Sequence, residues 1–402
     1  MSKTIILCAD GTWNGPATDS KVSPLEEAAS EGELHIGAVT NVAKLFANLA
    51  GDVTPETLAL ANEQEKVLCD GSRKPIQVAK YLHGVGDSRN PIVKLLGGTM
   101  GVGLINRIVR GYTFISREWE PGDDIHIAGF SRGAYTARAL AGMIANVGLL
   151  NPKKYDPNDR TESYALGTAA WFKAKGAKIS AGFLSGLANE LLGAIGSAGS
   201  ARLKDGDLIP DVPIKSVAVW DTVGSMGIPA YTAMGRFDIL RFTDMNLSPK
   251  VERGFHAMAI DELRRDFPVT PWLRRAGVEQ VWFVGAHSDV GGGYPTSECY
   301  LSDIALSWMM KKLATVGVKY TDPLAYVPKP QVLGGAYHTP WTKPPFNILK
   351  PDEARKVDQG DVLHASVRDR WDAPQRPPYR PRSIAAFGDS IQNARFDAAL
   401  MD

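Results

Sequence analysis

The segment HIAGFSRGAYTARALAG, residues 126–142, holds a serine, Ser131, fenced by Gly129 and Gly133 in the pattern G-x-S-x-G. A serine can act as a nucleophile when a sharp strand-to-helix turn lifts its hydroxyl clear, and side chains at the two flanking positions would collide with neighbouring backbone in such a turn. The bend also aims the positive end of the following helix, and the N–H of Arg132, at the place where an attacked carbonyl oxygen becomes negative. Five letters alone recur by chance. DIHIA before the motif and AYTARALAGMIANVGLL after it supply the strand and helix that the chemistry requires. The opposing reading is a glycine-rich turn with an idle serine.

A serine hydroxyl needs a base, and the base needs an orienting carboxylate. In α/β-hydrolase chains these follow in the order Ser, Asp or Glu, His. Four of the seven histidines lie after Ser131: His256, His287, His338 and His364. Only His287 directly follows an apolar strand-like run, in VWFVGAHSDVGGGY, and Asp221 is the first residue after SVAVW. Loops at the carboxyl ends of parallel strands are where such folds place reactive groups, so Ser131, Asp221 and His287 form the expected triad. Alternatives stay open. Asp221 could cap a turn or helix, and His287 could be a satisfied core imidazole. Asp289 could orient the ring in place of Asp221, and His364 is the reserve base. The oxyanion hole is expected from the N–H groups of Arg132 and of Gly11 or Thr12, in ADGTWNG after the first strand. Asp10 in that corner reads as a turn residue, with a cation site shared with Asp289 as the alternative. No cofactor is expected.

These residues require strands to carry them. TIILCADGT, DIHIAGFS, KSVAVWDTVG and QVWFVGAHSDVGGG are apolar on both faces and read as strands of a buried parallel sheet. Helical spacing lies between them: Val42, Leu45, Phe46 and Leu49; then Ile105, Ile108, Val109, Tyr112 and Ile115; then Leu140, Ile144 and Val147. The class is therefore α/β, a mostly parallel sheet flanked by helices, with residues 1–402 forming a single α/β-hydrolase domain. Residues 151–212, rich in Gly, Ala and Ser, are expected to be a cap or lid insertion. Residues 322–382, rich in Pro, are expected to wrap the surface as irregular structure. The glycines of GVGDSRN and GGTMGVGLINR complete neither a phosphate loop nor a dinucleotide fingerprint, and are read as shaping a loop at the site's rim.

With 45 basic and 44 acidic residues, net charge +1, no global field favours nucleic acid. Cys8, Cys69 and Cys299 are too few and scattered for a disulfide framework or a zinc site, which fits synthesis in a reducing compartment. MSKTIILCADGTWN lacks a signal-peptide core, so the chain is expected in the cytoplasm as synthesised. Residues 179–200 have the length of a membrane span but are diluted by Gly, Ser, Asn189 and Glu190.

The stretches DGTWN, GVGDS, GGTMGVGLINRI, GDDIHIAGFSRGAYTARALAGMI, VAVWDTVGSMG, FVGAHSDVGGGY, LHASVRDRW and YRPRS together resemble the α/β-hydrolase family whose best-known members are phospholipase effectors of bacterial type VI secretion. The resemblance runs from the first strand to beyond residue 380, interrupted mainly by 151–212. It implies that Ser131, Asp221 and His287 are the family's triad, that the corner at Asp10 is its oxyanion corner, and that the reaction is hydrolysis of a carboxylic ester, of lipid or phospholipid first. It also implies export by type VI secretion, with the secretion apparatus or an immunity protein as partner. Effectors of this family often carry additional membrane-engaging domains. In this chain the counterpart is 160–200, where Trp171, Phe172 and Phe183 mix with Lys173, Lys175 and Lys178; it reads either as a peripheral membrane contact or as an ordinary lid. Two rival functions remain, acyl transfer by the same triad and a catalytically silent hydrolase fold that serves in binding.

Overall fold

The computed structural model describes residues 2–11, 39–58, 63–83, 100–176, 202–223, 245–265, 267–343, 347, 352–388 and 390–397. Its strands are β1 Thr4–Ala9, β2 Asp52–Val53, β3 Glu63–Cys69, β4 Pro75–Leu82, β5 Asp124–Phe130, β6 Leu149–Leu150, β7 Leu208–Ile209, β8 Ile214–Trp220, β9 Val251–Ala259, β10 Val278–Phe283, β11 Val362–His364 and β12 Arg395–Asp397. The helices that frame them are α1 Asn41–Asn48, α2 Met100–Glu118, α3 Arg132–Val147, α4 Arg160–Lys175, α5 His287–Gly291, α6 Tyr300–Ala314 and α7 Ala365–Asp372. Among the described residues ten strands form one sheet in the order β12-β11-β10-β9-β8-β5-β1-β4-β3-β2. It is parallel from β12 to β4; β3 runs antiparallel to β4, and β2 antiparallel to β3.

All six residues of β1 are buried, as expected of a strand covered on both faces. Strand alternation sends Ile5 and Leu7 into one core, with Ile108, Val109, Tyr112 and Leu140 of α2 and α3. Ile6 and Cys8 enter the other, with Val42, Leu45 and Phe46 of α1 and Trp308 of α6. Each fully buried side chain of this size stabilises the fold by roughly 1.5–3 kcal/mol. The four expected strands are β1, β5, β8 and β10, and the three expected helices are α1, α2 and α3. The sheet is wider than those strands alone: β9, VERGFHAMA, opens with charges that break an apolar run, and β3 alternates charges along an antiparallel border.

The chain leaves β1 towards β4 through α1 on one face, and leaves β5 towards β8 through α3 on the other. The connections of the adjacent strands β1 and β5 therefore diverge, which opens a crevice beyond their carboxyl ends. Gly11 follows β1 and Ser131 follows β5, so both stand at that crevice.

The insertion at 151–212 is tied at its base by the β6–β7 pair, Leu149 opposite Ile209. Its described helix, α4, packs on α2 and α3 with Trp171 fully buried. Asn146, near the far end of α3 from Ser131, donates its side-chain amide to the carbonyl of Ala174 at 2.7 Å. The Trp171 indole fills the core between helices, so this ring takes no part in a membrane-facing surface. Phe183 and Lys178 lie outside the described residues, as do 177–201 generally. Among the described residues no helix is long and apolar enough to cross a membrane.

Residues 322–382 do more than wrap the surface. They carry β11 and α7, and they place four donors on buried carboxylates of the core. Tyr326 donates to Asp303 at 2.8 Å, His338 meets Asp289 at 2.6 Å, Arg355 donates to Asp221 at 2.6 Å, and Tyr379 donates to Asp261 at 2.7 Å. Proline disfavours regular backbone pairing, but the residues between the prolines still satisfy charges that burial would otherwise leave unpaired.

Candidate active site

Ser131 occupies a backbone conformation, φ 56° and ψ −120°, that non-glycine residues rarely adopt. Tight packing holds it there. A Cβ on Gly129 would lie 2.3 Å from the carbonyl oxygen of Gly133, and one on Gly133 would lie 2.0 Å from that of Ala9. Ser131 thus stands on a sharp strand-to-helix turn, and α3 meets β1 at a distance only glycine allows. Gly133→Ala should lose about 3 kcal/mol, the upper end for overpacking, because the new methyl meets backbone rather than a movable side chain. Urea unfolding reads this directly; an unchanged midpoint would mean that α3 moves off β1 freely.

The backbone N–H of Ser131 donates to the carbonyl of Trp220 at 3.2 Å, which sets the turn beside the next residue, Asp221. Asp221 is itself at positive φ, 37°, and fully buried. His287 opens α5, which folds back from β10 over the centre of the sheet. A Cβ on Gly291 would lie 1.9 Å from the Phe130 ring, so the helix rests directly on the residue before Ser131. The His287 ring packs at a tilt of 34° on Phe130 with centroids 4.6 Å apart, and Phe267 meets it edge-on at 5.2 Å. Nδ1 of His287 lies 2.5 Å from Oδ2 of Asp221. The structure thus joins Asp221 to His287 and sets the His287 ring against Phe130, the residue before Ser131.

Electrostatics at the pair follow from burial and neighbours. Burial alone would raise Asp221, but the Arg355 guanidinium and His287 hold it well below the usual carboxylate range. Burial also pushes His287 below its ordinary value, against the opposite pull of Asp221. The backbone N–H of His287 donates to Glu262 at 3.2 Å, and Glu262 is held ionised by Arg264 at 2.7 Å despite its burial.

The first corner is more constrained than its glycine implies. A Cβ on Gly11 would lie 3.4 Å from that of Ser131, so the two loops touch. The Gly11 N–H, however, donates to Oδ1 of Asp10 at 2.6 Å. Asp10 also accepts from Tyr81 at 2.5 Å and from Thr40 at 2.8 Å. Burial raises its pKa while those donors oppose the rise. This carboxylate is satisfied by protein donors, and Asp289 is engaged elsewhere. Among the described residues no group of three or more His, Cys, Asp or Glu is arranged to hold a metal ion. Arg132 stands at the first position of α3. Thr12 and the glycine run at 84–90 lie outside the described residues.

Two other candidates stand apart from the pair. Asp289 accepts from the Ala286 N–H at 3.0 Å and pairs with His338, so it steadies the start of α5 and does not orient the His287 ring. His364 caps α7, its Nδ1 accepting from the Ser366 N–H at 3.1 Å, and stacks on Phe283 at 4.6 Å. Its strand is four places from β5 in the sheet, roughly 19 Å at ordinary strand spacing, which is beyond reach of Ser131. Sequence reasoning missed Arg355, Glu262 and Arg264. The last two follow β9 in IDELRR and could have been found had that strand been recognised; Arg355, in DEARKVD, carries no periodic or motif signal.

Fold and corner together define an α/β protein with a buried acid–histidine pair at the carboxyl ends of a mostly parallel, mixed sheet. Residues 3–312 match the model described as T6SS, Phospholipase effector Tle1-like, catalytic domain, and the chain belongs to that family. A 151-residue stretch is 51% identical to uncharacterized protein YEL023C of Saccharomyces cerevisiae, covering 37% of this chain and 18% of that protein. Among solved structures, an uncharacterized protein from Pseudomonas aeruginosa aligns at TM-score 0.41 and 17% identity, over 80% of this chain and 46% of that one. The Tle1 effector bound to the VgrG spike of the type 6 secretion system aligns at TM-score 0.37 and 19% identity, over 75% of this chain and 53% of that one. The chain thus spans less than two thirds of each of these proteins.

Proposed function

We propose that this domain is an α/β-hydrolase that cleaves carboxylic esters of lipids, phospholipid acyl esters first, through an acyl-enzyme on Ser131. The single observation that carries the reading is the buried Asp221–His287 pair, 2.5 Å apart, packed against the residue that precedes a serine at positive φ. Ser131 Oγ attacks the ester carbonyl while His287 Nε2 takes its proton; Asp221 accepts the hydrogen bond from Nδ1–H and stabilises the imidazolium. The N–H of Arg132 and a second from Gly11 or Thr12 hold the oxyanion. Gly11 would have to release Asp10 to serve. Collapse expels the alcohol with the proton from His287, and water then attacks the acyl-enzyme by the same route in reverse. Residues 151–212 serve as a cap in this reading.

Family membership supports the lipid substrate, delivery by type VI secretion, and partners in that apparatus or an immunity protein. The test combines a serine-directed fluorophosphonate with phospholipid vesicles whose released fatty acid is measured. Wild-type protein should be labelled at Ser131 and should release fatty acid. A folded protein that no such probe labels would leave only a binding role.

The base must be neutral to accept a proton. Because burial holds His287 below its ordinary 6.5, the acidic limb of kcat/KM should be centred below that value. An acidic limb centred above that value would speak against His287.

A further inference from the structure

We infer that Arg355 is a positioning residue of the hydrolytic site, gripping both oxygens of Asp221 so that the carboxylate stays ionised and turned towards Nδ1 of His287. The inference rests on the reading of Ser131, His287 and Asp221 as a triad, and it goes beyond the family match, which ends at residue 312.

The contact is a fork. Nη1 of Arg355 donates to Oδ1 of Asp221 at 2.6 Å, and Nη2 donates to Oδ2 at 2.9 Å. The same two nitrogens donate to the carbonyls of Ala259 and Phe267, each at 2.8 Å, which fixes the plane of the guanidinium. Asp221 is 0% exposed and Arg355 9%, so water can do little of this work. Oδ1 also accepts from the Ala259 N–H at 2.9 Å, leaving Oδ2 to share between Arg355 and His287. Without a counter-charge, burial would favour the neutral acid. A protonated carboxyl could not stabilise the imidazolium, and it would be free to turn. Arginine suits the task because its rigid fork meets a carboxylate at both oxygens, whereas an ammonium meets it as a point charge.

A second consequence concerns the ring. Asp221 from the end of β8 and Glu262 from the segment after β9 face His287 as anions, with Arg264 as the cation beside Glu262. His256 on β9 faces Asp221 from the other side and is kept neutral by burial, its Nε2 accepting the Thr222 N–H. Asp289 on α5 is taken up by His338. Arg355 therefore offsets the negative charge of the Asp221–His287 pair, and its loss lets the pair take up a proton, on the carboxylate or on the ring, at higher pH.

The test uses the full chain as wild type, Arg355→Lys, Arg355→Gln and Arg355→Met, with kcat/KM for a soluble p-nitrophenyl ester followed against pH. Rates are expressed per site labelled by the fluorophosphonate, so that misfolded protein drops out. Arg355→Gln and Arg355→Met should fall roughly a hundredfold at neutral pH, the cost of a carboxylate no longer held in place, and their acidic limb should move up by about one pH unit. Arg355→Lys should keep the limb near wild type while losing rate, since charge remains and the fork does not. Unchanged rate and limb per labelled site in the glutamine and methionine variants would overturn the inference and leave a purely structural ion pair. If those two fail to fold, Arg355→Lys decides, and wild-type rate per site would equally overturn it. Wild-type protein that is not labelled, or Ser131→Ala that still is, would instead bring down the triad reading beneath it.

Discussion

Ser131→Ala is expected to lower ester turnover by roughly a millionfold and to abolish fluorophosphonate labelling while the fold survives. In the proposed reaction this hydroxyl is the atom that forms the acyl bond. The backbone offers a second measurement on the same position. At φ 56° any side chain carries conformational strain, of order 1–3 kcal/mol, that glycine relieves. Ser131→Gly should therefore be more stable than Ser131→Ala by about 1 kcal/mol, part of the relief being offset by the greater freedom of glycine in the unfolded chain. Both variants should be inactive. An alanine variant more stable than the glycine variant in urea unfolding would show that the turn is relaxed and that the serine is not held there under strain.

Asp221→Asn has the second largest expected effect, and it acts on two observables for two reasons. An amide facing Nδ1 can donate as well as accept, so it no longer fixes the productive tautomer, and kcat should fall by about 10^4-fold. Stability should fall as well, because Arg355 then sits buried with its charge unbalanced, a change that costs about 3–5 kcal/mol. Adding Arg355→Met to Asp221→Asn should restore most of that stability and none of the activity. Full activity in the double variant would falsify the role given to the carboxylate. The sign with pH follows from the same pair. Since Asp221 is held below its unfolded value, its contribution is complete above about pH 4 and is lost as pH falls through the lower folded value. That part of acid unfolding should disappear when Asp221 is replaced.

Much of this arrangement is legible along the chain because it depends on local rules. A serine between glycines at a strand-to-helix junction must form a tight turn, and the burial of both faces of β1, β5, β8 and β10 follows from their unbroken apolar runs. An acid and a histidine at the ends of such strands can be picked out by position alone. Strands whose charges sit on sheet borders or beside partners, such as β3 with Glu63 and Glu65 paired to Lys80, do not announce themselves, because the neighbours that make those charges tolerable are distant in sequence.

What the chain's linear order determined, then, was the α/β class, the turn at Ser131 and the shortlist from which Asp221 and His287 came. Tertiary structure alone decided between the members of that shortlist: it gave Asp289 to His338, made His364 a helix cap, and committed the Gly11 N–H to Asp10. It alone brought Arg355 across 134 positions to Asp221. Hydrogen bonds between buried ions depend on distance and orientation in space, and neither quantity is encoded in residue spacing once the partners lie on different elements.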